Sequence, residues 1–224
     1  RILKSKYGID FCFLCNRTIE EACEKKNLDF NQIEKEVTQL LETKSDGAID
    51  FKSWPSDLLI DYIEKTHHRF VEEKSAVLLP FLDKLCKVHG HAHPELFEIN
   101  ELFIGCAGEL AQHMKKEELI LFPFIKKMEN AIRTGQQIEQ PHFGTVENPI
   151  AMMKDEHEAE GDRFVKIAEL TNNYTPPADG CSTYKVTFAM LQEFEQDLHK
   201  HIHLENNILF PAAAVLEKKF SPQL

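Results

Sequence analysis

An all-α chain, with an up-down-up-down four-helix bundle preceded by a small helical N-terminal domain, is predicted by three observations. Four long amphipathic patterns follow one another between about residues 56 and 219, parted by loops rich in Gly, Pro and Asn. Strand signals are nearly absent, because period-two alternation and Asn-Gly hairpin turns are both missing. Finally, His113-Met-Lys-Lys-Glu117-Glu-Leu-Ile-Leu-Phe-Pro123 returns 88 residues later as His201-Ile-His-Leu-Glu205-Asn-Asn-Ile-Leu-Phe-Pro211. The second and fourth helices are thus versions of one element, as a bundle of two similar hairpins requires.

Residues 1–50 read as a unit of short helices. Thr18-Ile-Glu-Glu21 and Asp29-Phe-Asn-Gln32 both have the form of a capping box, the second opening an amphipathic run through Leu41. Thr43-Lys-Ser-Asp-Gly47 reads as a linker to a second domain over 51–224. Trp54-Pro55-Ser56-Asp57 starts the first bundle helix, which runs to His89 and stops at Gly90. The second helix spans about 94–130, and a loop with Gly135, Pro141 and Gly144 leads to the third, about 146–170. A loop from Thr171 to Gly180 precedes the fourth, about 183–219. Pro80, Pro123 and Pro211 fall inside these patterns and are expected to kink their helices or end them early.

Composition removes several classes of function. The 224 residues are 42% apolar and 28% charged, as in ordinary globular proteins. A net charge of −11 without any basic run excludes a nucleic-acid partner. No apolar run reaches the roughly 18 residues of a membrane span, and no signal peptide is visible. Six irregularly spaced cysteines do not form a disulfide scaffold, so a reducing, cytoplasmic setting is expected.

The repeat also points to chemistry. A His and a Glu four apart share one helix face. In an antiparallel hairpin, residues at one height are equidistant from the turn. The turn near 90–93 therefore pairs His113 with His68, and the turn near Pro177 pairs His201 with His157. The separations agree, at 45 and 44 residues. Six metal ligands are predicted to converge: His68, His113, Glu117, His157, His201 and Glu205. His67 competes with His68: apolar phasing favours His67, the spacing between halves His68. His89 lies about 30 Å along the helix from His68 and is rejected. His199 and His203 face away from Glu205. Two buried carboxylates among four imidazoles would be untenable without a compensating cation.

Zinc prefers four ligands in closed tetrahedra, whereas imidazole and carboxylate at higher coordination suit iron. Four imidazoles, two bridging carboxylates and an oxo or hydroxo bridge would leave about one open position on each of two six-coordinate irons. Such positions suit NO or O₂. Ferritin-like sites use more carboxylate, which disfavours an iron oxidase. Glu109, one turn before His113, and Glu156, beside His157, are predicted to support the ligands from outside.

The chain resembles the RIC (repair of iron centres) family of hemerythrin-like di-iron proteins. The resemblance runs from Tyr7-Gly-Ile-Asp-Phe-Cys12 and Asn16-Arg-Thr-Ile-Glu-Glu-Ala-Cys23, through His67-His68, His113-Met-Lys-Lys-Glu117 and Asp155-Glu-His157-Glu, to the second repeat. It implies a di-iron centre on the six residues above, reactivity toward NO, and support for repair of iron–sulfur clusters after nitrosative or oxidative stress. Damaged iron–sulfur proteins or a cluster scaffold would be the clients, and a homodimer is a common arrangement. The alternative is an O₂ or NO carrier or sensor without turnover. Whether the centre reduces NO catalytically is left open. Where the family has Cys-Cys-Gly-Gly, this chain has Cys12-Phe13-Leu14-Cys15. A Cys-x-x-Cys can be a redox pair or two packing thiols. Cys86, Cys106 and Cys181 have no metal-like spacing and are expected to be packing residues.

Overall fold

A computed structural model describes residues 19–42 and 49–220, and every regular element among them is helical. Helix α1 (Ile19–Lys26) packs on α2 (Phe30–Glu42), with Cys23 and Ile33 buried. Asp29 caps α2, its Oδ1 accepting the Asn31 amide at 2.9 Å and the Gln32 amide at 3.4 Å. Thr18, from the other predicted cap, lies outside the described residues.

The four long helices are α3 (56–89), α4 (95–134), Glu147–Leu170 as α5, and α6 (182–218). α3 packs against α4 and α6, and α4 packs against α5. Gly90 closes the tight turn after α3, where a Cβ would meet the Cys86 carbonyl at 2.3 Å and the Phe97 ring at 2.6 Å. Gly135 ends α4 in the left-handed conformation, φ 67°, as a C-terminal cap requires. α4 therefore runs one turn beyond its predicted end. α5 is anchored by the far end of α6: the Val146 amide donates to Glu217 at 2.9 Å.

Three of the long helices contain a π turn. In α3 it is Ile63–His68, in α4 Glu117–Leu121 and in α6 Glu205–Leu209. The Phe122 amide reaches back to the Glu117 carbonyl, and the Phe210 amide to that of Glu205. Of the two outcomes expected at the prolines, a kink or an early end, the early end does not occur. Pro80 lies within Arg69–His89, and Pro123 and Pro211 each stand two residues past the end of a π turn. A proline donates no bond to the carbonyl four residues back and crowds it, and a widened turn accommodates both effects.

Two apolar clusters fill the bundle. One gathers Leu78, Leu82, Phe103, Leu110, Phe164 and Phe194; the other gathers Ile60, Ile63, Phe122, Ile125, Met153 and Phe210. On all four helices a short polar interval separates them, at His67-His68, Glu117, His157 and His201–Glu205. Burying such groups between two apolar layers is costly unless something compensates their charge.

Candidate metal centre

Each polar interval delivers its side chains to one place. His68, Glu117, His201 and Glu205 bring a donor atom each within 4.8 Å of one another, and His113, Glu117, His157 and Glu205 do the same. The two groups share both glutamates, and all six residues are buried. Glu117 Oε2 lies 3.4 Å from both His68 Nε2 and His113 Nε2. Glu205 Oε1 is 2.9 Å from His201 Nε2, and its Oε2 is 3.1 Å from His157 Nε2. Each carboxylate thus faces one imidazole from either group.

The electrostatics match a cation. Burial pulls the His68 imidazole down, yet the carboxylates of Glu117 and Glu205 outweigh it and hold it up at about 10. Burial would raise Glu205, but His201, His157 and His68 keep it well below the ordinary carboxylate range. His201 is pulled down by its burial despite Glu205. Hydrogen bonds within the cage remain incomplete. Among the described residues, His68 Nε2, Glu205 Oε2 and both oxygens of Glu117 are buried without a hydrogen-bond partner. His157 and His113 aim their Nε2 atoms at one another at 3.0 Å. Donors at about 2.1 Å from a common ion sit about 3 Å apart, so these spacings and orphaned atoms fit metal coordination.

A family of hemerythrin HHE cation-binding domains matches residues 59–213, the stretch that carries every one of these donors. The chain belongs to the hemerythrin family. It is 32% identical over 205 residues to the iron-sulfur cluster repair protein ScdA of Staphylococcus haemolyticus, covering 92% of this chain and 88% of the relative. It is 35% identical over 209 residues to a probable iron-sulfur cluster repair protein of Haemophilus influenzae, covering 92% and 87%. The iron-sulfur cluster repair protein YtfE of Yersinia pseudotuberculosis is 33% identical over 208 residues, 93% of this chain and 88% of its own length. These relatives place the chain in the repair-of-iron-centres branch of the hemerythrins. Its cofactor is a pair of iron ions, which the donor set fits.

The hemerythrin cage is supported from outside by residues that follow the same repeat. His68 Nδ1 meets Glu118 at 2.9 Å, and His157 Nδ1 meets Asn206 at 3.1 Å. Glu118 and Asn206 each follow a cage glutamate, a signal that the repeat contained and the sequence reading missed. Glu156 reaches His113 Nδ1 at 2.8 Å and is also paired with Lys116. Glu109 does not reach His113: it is largely exposed and pairs with Arg163 at 2.9 Å. Its repeat counterpart Asp197 lies against a histidine instead, 3.0 Å from His67 Nδ1. The repeated phenylalanines act as well. Phe122 stacks on His68 at 5.7 Å and Phe210 on His157 at 6.2 Å, sealing the cage toward the second apolar cluster.

The remaining sequence candidates lie elsewhere. His67 is buried beside His68 but belongs to neither donor group. His89 sits at the far end of α3, with Nε2 3.3 Å from Cys181 Sγ. His199 Nδ1 is 2.6 Å from the Glu195 carbonyl and His203 Nδ1 is 3.0 Å from Asn207. Cys86 and Cys106 are buried, as expected of packing residues. Cys181 is not: it is exposed just before α6, and the Tyr184 amide, with His89, lowers its thiol to about 7. Cys12 and Cys15 lie outside the described residues.

Proposed function

We propose that His68, His113, Glu117, His157, His201 and Glu205 would hold the two irons, both glutamates belonging to both groups of donors, and that the protein supports repair of iron–sulfur clusters damaged by nitrosative or oxidative stress. The observation that carries this is the pair of four-donor groups sharing both carboxylates. When bound, the iron pair supplies electron transfer and a binding position for NO or O₂. The chain's own residues do the rest. Glu117 and Glu205 provide the negative charge, and Glu118, Glu156 and Asn206 fix which imidazole nitrogen faces inward. Phe122 and Phe210 keep water from one side of the cage.

Repair is favoured over an O₂ or NO carrier by the extent of the likeness. The relatives align over 92–93% of the chain, well beyond the 59–213 of the hemerythrin match, and their names state iron–sulfur cluster repair. Residues 1–50 would form a separate small domain in which Cys12 and Cys15 act as a redox pair. Iron–sulfur proteins would be the clients, in the cytoplasm, and a homodimer the working form; no helix of the described residues is long and apolar enough to cross a membrane. The test is recovery of an NO-inactivated iron–sulfur enzyme in extract. The iron-loaded chain should restore it and Glu117→Ala should not. NO binding without any recovery would instead support the carrier.

A further inference from the structure

The two halves of the cage offer the same donors in the same order, yet their outer hydrogen bonds differ. Every cage imidazole turns Nε2 toward a glutamate and leaves Nδ1 on the outside. Three of the four Nδ1 atoms meet an oxygen: Glu118 for His68, Glu156 for His113 and Asn206 for His157. The fourth, His201 Nδ1, is buried without a partner among the described residues.

The repeat shows why. Glu156 immediately precedes His157 and reaches across to His113 on α4. The residue in the equivalent place, immediately before His68, is His67. It lies parallel to the His201 ring at 5.8 Å, with 6° between the planes, and spends its own Nδ1 on Asp197. A stacked ring accepts no in-plane hydrogen bond from its neighbour.

An imidazole whose outer N–H is hydrogen-bonded is a more basic and better oriented ligand, and loss of that partner typically lowers metal affinity 10- to 100-fold. Each metal position has one carboxylate-supported histidine, His68 in one and His113 in the other, so those contributions offset. What remains is Asn206 on His157 against nothing on His201. We propose that the position formed by His68, His201, Glu117 and Glu205 is the exchangeable one, releasing ferrous iron first, while the position formed by His113, His157 and the same glutamates retains its ion. This rests on the ligand assignment proposed above, and it identifies which iron the protein would donate. No electron moves in the release: the ion leaves as Fe(II) to the competing chelator.

The test is anaerobic mixing of the fully reduced, iron-loaded chain with the ferrous chelator ferrozine, following the coloured complex. Two phases of equal amplitude, about 10- to 100-fold apart in rate, are expected. Asn206→Leu should accelerate only the slow phase by about tenfold, and Asn206→Asp, which keeps an acceptor, should leave it slow. Glu118→Ala should accelerate only the fast phase. Release of both irons in one phase, or acceleration of the fast phase by Asn206→Leu, overturns the proposal. Iron content measured before mixing separates the two levels: fewer than two irons per chain counts against the ligand assignment itself. Equal melting temperatures of the variants without chelator show that altered release is not altered folding.

Discussion

The α3–α4 hairpin and the α5–α6 hairpin solve the same problem with different neighbours. Both give a histidine from the first helix, His-x-x-x-Glu from the second, and a phenylalanine stacked on the first histidine. Around that common core the pairs diverge: Glu118 stands opposite Asn206 in the repeat, Glu156 opposite His67, Asp197 opposite Glu109. On the proposed assignment the six donors are held to one geometry by the ions. Their supporters need only place an acceptor near an Nδ1, and several residue types do that.

The largest effect expected on this comparison comes from the groups common to both halves. Glu117→Ala or Glu205→Ala removes a donor from both positions and should leave less than half of the iron. His113→Ala or His201→Ala strikes one position and should leave about one ion, as read by metal analysis. The melting temperature of the glutamate variants should fall further, since bound metal contributes to folding.

A second contrast separates the adjacent histidines. His68→Ala should lose iron. His67→Ala should keep two irons and cost about 1–3 kcal/mol in chemical denaturation, from the lost Asp197 contact and the void. The opposite pattern would exchange their roles.

A third concerns Glu160, one turn beyond His157, whose counterpart in the first hairpin is Val71. Burial pushes this carboxyl up to about 7 from its ordinary 4.5, against the pull of Cys106 and Arg163. The folded chain keeps that proton between pH 4.5 and 7 where the unfolded chain has lost it. Its contribution to stability therefore falls as pH rises through this window and is level above it. Glu160→Gln should remove this loss, so the difference in melting temperature between variant and parent should grow by roughly 2–6 °C from pH 5 to pH 8. An unchanged difference would mean that Glu160 ionises normally.

The smallest effect lies at the far end of the bundle. Cys181 should be alkylated with a rate that rises through about pH 7, while Cys86 and Cys106 react only on unfolding. Cys181→Ser should leave both irons in place. Peptide mapping after brief alkylation distinguishes these sites.

The bundle and the meeting of these six side chains at one height both follow from regular spacing in the sequence. Equal distances from each turn bring side chains to one height because α3 to α6 are long, regular helices. Apolar phasing points to His67 instead of His68, and the π turn Ile63–His68 explains this: a widened turn buries both neighbours, which a 3.6-residue period does not allow for. The helices continue past Pro123 and Pro211 for a related reason, a π turn just before each. Glu156 adjoins His157 in sequence, and Glu109 sits one turn from His113 on the same face. Arg163, from α5, draws Glu109 off, and no local pattern shows a partner on another helix. Glu118 and Asn206 were in the repeat but depend on which way each π turn rotates them.

Crystals of the iron-loaded protein, measured at the iron absorption edge, test the central claim most directly. Two anomalous peaks per chain are predicted, one contacting His68 and His201, the other His113 and His157, with Glu117 and Glu205 touching both. A single peak, or a peak bound by His67 in place of His68, would contradict it.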